Sequence, residues 1–314
     1  MSNRLEADRE IINRLEEADL PIRDLHRISV TKNGAEIVYQ AETTDRTVFV
    51  RTVGASRREG VRRVLATDLD IGLPESRLLD GDPPLLVMER ANGRPLSLLL
   101  PVYFLPIIWR TVSNELTSGF ESLGRYHGRL HEATGTDQIR VADNDTYASK
   151  IEPSNAVRNR LGFTMDRLQP WLDRVRDVEL SRGLVHSDPT PHNVYYRNGD
   201  VELIDVDLKH TAVLKDRLAV ECGIELMAGR LPYGRSFQST RLLDAYDRGY
   251  DAEYTHAEIP YWAYLTLKAA HYAWILDIYL SGENTAIRDR LTSVTDTNLI
   301  VDRIDESVNV LGKA

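Results

Sequence analysis

The chain has 314 residues, 42% hydrophobic and 28% charged, a balance that can bury a sizeable core and leaves little room for disorder. Its formal charge of −9 excludes a protein whose main work is coating nucleic acid. The single Cys222 excludes an intrachain disulfide. No stretch reaches the ~18 unbroken apolar residues of a transmembrane helix. The charged, amphipathic N-terminus has no apolar signal core, so the expected location is the reducing cytoplasm.

Leu5, Ile11, Ile12 and Leu15 share one helical face and predict an amphipathic helix over 4–18. Three β-rich runs follow, RISVT, AEIVYQAE and RTVFVRTV, separated by the turn formers Asn33-Gly34 and Thr44-Asp45. SRREGVRRVLATDL predicts a helix capped by Ser56, and RLLD and PLLVMER predict two more strands around the turn GDPP. This is a small, mostly antiparallel sheet with one inserted helix. After Gly93 the pattern turns helical. Leu116, Phe120, Leu123, Tyr126, Leu130 and His131 mark one long helix, residues 134–155 read as a polar loop, and 155–175 is helical with a break expected near Pro170. Further helices are expected at about 215–229, 238–252 and 260–280, with a last one from about 284. The domains expected are therefore a β-rich N-terminal lobe, 1–92, and a helical C-terminal lobe, 93–314.

The stretch LVHSDPTPHNVYYRNGDVELIDVD (184–207) sets an acid, Asp188, five residues before an amide, Asn193. A hairpin around Asn198-Gly199 then returns the chain toward Asp205. Asp and Asn in a proline-rich loop are often only turn formers. A carboxylate that orients a hydroxyl and takes its proton, with an amide oxygen and a second carboxylate as hard ligands for Mg²⁺, is nonetheless what phosphoryl transfer needs. Asp207 either assists the metal or faces solvent.

His186-x-Asp188-x-x-x-x-Asn193 followed by Ile204-Asp205 resembles the catalytic segments of the protein-kinase-like fold. It is most similar to the aminoglycoside phosphotransferase and choline kinase group, with its H-G-D-x-x-x-x-N and I-D motifs. TVFVRTV is similar to that group's third strand, REGVRRVLAT to the helix after it, LLVMERANGRPLS to the hinge between lobes, and KDRLAVECGIEL to its D-L-A segment. Ser187 and His192 replace the usual glycines, and only Gly34 stands where a Gly-rich phosphate turn belongs.

The resemblance implies a bilobal α+β fold and an enzyme that uses ATP and Mg²⁺ to phosphorylate a hydroxyl of a small molecule such as a sugar, an amino alcohol or an antibiotic. It implies Asp188 as catalytic base, Asn193 and Asp205 as Mg²⁺ ligands, and Arg51 at the nucleotide phosphates with Glu59 as its ion-pair partner. The adenine would lie beneath Met88 against the backbone of Glu89 and Ala91. Asp216 would brace the catalytic loop, and His186 would be a bracing residue too. Two alternatives stay open: an atypical protein kinase, disfavoured by the lack of an activation loop ending in Ala-Pro-Glu, and a pseudokinase serving as a binding module. His127, His131 and His271 read as core residues. The apolar LSLLLPVYFLPIIW (96–109) most simply packs on the helical lobe; a lipidic substrate or a membrane face is the other reading. No Cys/His spacing marks a zinc site.

Overall fold

The computed structural model describes residues 2–30, 36–66, 72–105, 109–135, 137–186, 188–204, 208–229, 236–250, 259–281 and 297–313. The chain divides into two compact units: residues 1–93 with 202–204, and residues 94–201 with 205–314.

The first unit opens with helix α1 (Ser2–Glu17). Strands β1 (Ile22–Val30), β2 (Ile37–Thr43), β3 (Thr47–Thr52), β4 (Ser76–Leu79) and β5 (Leu85–Glu89) form an antiparallel sheet in the order β1-β2-β3-β5-β4. Because side chains alternate across a strand, the sheet has two distinct faces. Tyr39, Ala41, Val48, Val50, Leu85 and Val87 pack with Ile11, Leu15 and Leu20 around α1. The cross-strand pairs Val38–Arg51, Phe49–Met88 and Arg51–Leu86 lie on the opposite face. Arg14 ties α1 to the β4–β5 turn by donating to the carbonyls of Pro83 (2.8 Å) and Asp80 (3.0 Å). Helix α2 (Ala55–Ala66) begins one residue before Ser56, which therefore lies inside the first turn and is not the expected cap.

The second unit is mainly helical. Helix α3 (Leu96–Tyr103) buries Leu96, Leu99, Leu100 and Tyr103, so the apolar 96–105 stretch is largely core, with Leu98 left outside. Helix α4 (Trp109–Thr134) is the longest described. The expected loop at 134–155 instead holds strand β7 (Gln138–Arg140) and the single turn α5 (Asp145–Ala148), after the two-residue strand β6 (Arg94–Pro95) earlier in the chain. Helices α6 (Asn155–Leu161) and α7 (Phe163–Val175) are broken at Gly162, not at Pro170. Gly162 adopts φ +52°, a left-handed turn that a glycine takes without strain, whereas Pro170 stays inside α7 because Met165, Leu168, Leu172 and Val175 are buried on one face.

Strands β8 (Glu179–Val185), β9 (Val194–Arg197), β10 (Asp200–Leu203) and β11 (Lys209–Ala212) complete two small sheets, β10-β9-β6 and β11-β8-β7. The β9–β10 hairpin turns through Asn198 (φ +54°) and Gly199 (φ +103°), the pairing that a two-residue turn requires. Helices α8 (Leu214–Gly229), α9 (Ser236–Gly249), α10 (Tyr261–Ser281) and α11 (Thr297–Leu311) close the unit. The core gathers residues of α5–α8, α10 and α11, with Leu172, Leu218, Leu267 and Ile304 fully enclosed. Cys222 is buried there, and burial pushes its thiol well above the usual range. Among the described residues no helix is long and apolar enough to cross a membrane.

Candidate active site

In the second unit, the loop after β8 carries the acid and the amide on one short turn. The Asn193 backbone N–H donates to the Thr190 carbonyl at 2.8 Å, closing the turn. The Asn193 side-chain Nδ2 then donates to the Asp188 carbonyl (3.0 Å) and to Asp188 Oδ2 (3.2 Å). The structure thus brings Asp188 and Asn193 together. With its amide nitrogen turned to Asp188, Asn193 presents Oδ1 on the other side, a hard oxygen of the kind a divalent cation takes. Asp188 itself is exposed. Asp205 lies outside the described residues, as do Ser187 and Asp207. Among the described residues no three His, Cys, Asp or Glu side chains cluster as metal ligands.

The frame of this loop is built from buried contacts. Pro191 is buried, and its carbonyl accepts the Ser97 N–H at the start of α3 (3.0 Å). The loop entrance is held by Asp216, in the first turn of α8. Its Oδ2 accepts the His186 backbone N–H at 2.9 Å and the His131 Nε2–H at 3.2 Å, with His127 Nε2 at 3.7 Å. Asp216, His127, His131 and His186 are all fully enclosed. Burial alone would raise the Asp216 carboxyl; His127, His131 and His186 more than offset it and hold the group below the usual carboxylate range. Burial drives His127 down to about 3, so it is a neutral ring at pH 7. Tyr246 and Tyr250 on α9 complete the cluster, at 2.8 Å from His127 Nδ1 and 2.6 Å from His131 Nδ1. His127, His131 and His271, expected as core residues, are buried, and nothing in the sequence pattern signals that His127 and His131 join His186 around one acid.

In the first unit, Arg51 and Met88 share the sheet face opposite α1, and both are buried. The expected partner of Arg51 is corrected. Glu59 is 68% exposed on α2 and pairs with Arg63 one turn on. Arg51 Nη2 instead contacts Glu36 Oε2 at 2.7 Å, with both side chains less than a tenth exposed. The register explains this: Val38 is the cross-strand partner of Arg51, so Glu36, two residues earlier, lies diagonally opposite on the same face. Glu36 stands in phase with Val38 and Gln40 along AEIVYQAE, the one signal that could have found it.

At the end of β5, the Glu89 N–H is already used by the Glu75 carbonyl (2.9 Å), and its carboxylate pairs with Arg46. Ala91 is half-buried. Next to it, Asn92 is gripped by Glu202, whose two carboxylate oxygens take the Asn92 backbone N–H (2.6 Å) and Nδ2 (3.1 Å), a brace the sequence did not indicate.

No protein-family model and no curated protein sequence matches the chain. Solved structures do. Choline kinase LicA from Streptococcus pneumoniae superposes with a TM-score of 0.58 at 14% identity, covering 98% of this chain and all of that one. Amicoumacin kinase hAmiN, in complex with AMP-PNP, Ca²⁺ and Ami, gives 0.58 at 15% identity over 98% of this chain and 96% of its own. Spectinomycin phosphotransferase APH(9)-Ia, with ADP and spectinomycin, gives 0.58 at 11% over 95% and 98%. The chain has the protein-kinase-like α+β fold that these structures share.

Proposed function

We propose that the chain is an ATP- and Mg²⁺-dependent phosphotransferase that moves the γ-phosphoryl group of ATP to a hydroxyl of a small molecule. The observation that carries this is the Asp188–Asn193 pair, joined at 3.2 Å in a loop braced by Asp216, in a fold shared with small-molecule kinases. Asn193 Oδ1 and the Asp205 carboxylate would hold Mg²⁺, which supplies charge neutralisation at the phosphate oxygens when bound. Both are hard oxygen donors, so the residues fit that ion.

Asp188 orients the acceptor hydroxyl and accepts its proton as the acceptor oxygen bonds to the γ-phosphorus and the bond to the β-phosphate oxygen breaks, releasing ADP. Its exposure leaves room for an acceptor, and the Asn193 amide fixes its rotamer. Arg51 meets the phosphates, and the adenine lies beneath Met88 beside Glu89 and Ala91. A chain with one buried cysteine suits a reducing cytoplasm.

The test is ADP release from purified protein with ATP and Mg²⁺ across a panel of sugars, amino alcohols and antibiotics. Asp188→Asn is expected to lower turnover by about 10³-fold while the protein stays folded. Unchanged turnover in that variant sinks the assignment. Label from ATP appearing in protein, with none in metabolites, would favour a protein acceptor.

A further inference from the structure

The nucleotide face of the first unit contains a charge relationship that the family pattern does not supply. Arg51 and Glu36 form a buried ion pair at 2.7 Å, and the second carboxylate oxygen, Oε1, accepts the Gly54 N–H just past the end of β3 at 3.2 Å. The N–H of Ile37, next to Glu36, donates to Thr52 Oγ1 at 2.7 Å, so the start of β2 is clamped to the end of β3 on both sides of the pair. The described charged side chains of α2 have other partners. Glu59 holds Arg63, while Arg58 and Arg62 both reach the Asp80 carboxylate. A buried guanidinium keeps its charge, so its direction is set by the anion that neutralises it.

We infer that Glu36 is the positioning residue for the Arg51 guanidinium, and that it sets nucleotide affinity from the start of β2 in place of a glutamate on α2. This rests on the proposed role of Arg51 at the ATP phosphates. It makes the phosphate-binding cation part of the β2–β3 ribbon, with its orientation independent of where α2 lies.

The experiment measures ATP binding calorimetrically with Mg²⁺, together with the KM for ATP and for the acceptor, on the full chain and its variants. Glu36→Gln keeps an oxygen for the Gly54 N–H and removes only the charge. It is expected to raise the ATP dissociation constant and KM about tenfold, leave the acceptor KM within twofold, and be partly rescued in Glu36→Asp. Arg51→Gln should weaken ATP similarly, and the double variant no further than Arg51→Gln alone, because one residue acts through the other. Wild-type ATP affinity in Glu36→Gln, additive losses in the double variant, or a loss in Glu59→Gln equal to that of Arg51→Gln would each overturn the inference. If Glu36→Gln does not fold, Glu36→Asp carries the test, and an ATP-specific rise in KM is again required. If wild-type protein binds no ATP, the proposed function itself fails. If it binds ATP and only Glu36→Gln is silent, the function stands and this inference falls.

Discussion

Asp216 Oδ2 lies 2.9 Å from the backbone nitrogen of His186, so the first turn of α8 holds the residue that opens the Asp188–Asn193 loop. The acid is entirely enclosed and also bonds the ring of His131 at 3.2 Å. Replacing it strands two buried donors at once. Asp216→Ala is expected to cost about 3 kcal/mol or more in urea unfolding, and to lower turnover in the fraction that remains folded.

Acid should weaken the fold through the same cluster. Burial lowers His127 to about 3, against about 6.5 in an unfolded chain, so the unfolded state binds the extra proton between those values. The contribution is complete above about pH 6.5 and is lost progressively as pH falls toward 3. Thermal midpoints measured from pH 7.5 to pH 4 should therefore fall, and His127→Gln should flatten that decline.

Lys150 gives the opposite end of the pH scale. Its amine donates to His271 Nδ1 at 3.0 Å and sits over the Trp274 ring at 4.4 Å, and burial brings it down to about 7. An unfolded lysine titrates near 10.4 and binds a proton that the folded one does not, so stability rises with pH from about 7 to about 10. Lys150→Met should raise the pH 7 stability by roughly 2 kcal/mol and remove that slope. A steeper slope in the variant would contradict the reading.

Helices α4 and α9 meet at two glycines. A Cβ at Gly249 would stand 1.8 Å from the Glu121 carbonyl oxygen, and one at Gly124 would stand 2.0 Å from that of Tyr246. Neither neighbour is a flexible side-chain tip, so the backbones must separate. Gly249→Ala is expected to destabilise by about 3 kcal/mol or more and to disturb the His127–Tyr246 contact, read by chemical unfolding and by tyrosine fluorescence.

Asn193→Ala tests the proposed metal role apart from folding. Among the described residues its side chain bonds within its own turn, to Asp188, so the thermal midpoint should move little. Turnover should fall about 100-fold, and the Mg²⁺ concentration at half-maximal rate should rise. A normal rate at normal Mg²⁺ would remove Asn193 from the metal site.

What was legible in the sequence is what is local. The Asn198-Gly199 hairpin needs positive φ at both central residues, and that requirement is written into the two residue types. Asp188 and Asn193 meet because five residues of a proline-rich turn bring them together. The Arg51 partner was misread because a cross-strand diagonal depends on register, which no short window shows. Strands β7 and β11, three and four residues long, exist by pairing with the two edges of β8 and have little pattern of their own. The Gly162 break was missed because proline is the louder signal, yet a buried apolar face carried α7 through Pro170. The expected helix from 284 begins at Thr297 in the described residues, while Asn33-Gly34 and Asp205 fall outside them.

The enclosure of Cys222 has a practical side. A thiol buried in apolar surroundings and kept protonated does not react with maleimides or iodoacetamides in the native state. A fluorophore or spin label could therefore be attached at one engineered surface cysteine, for instance Phe163→Cys at a side chain that is 75% exposed, with the natural residue left in place.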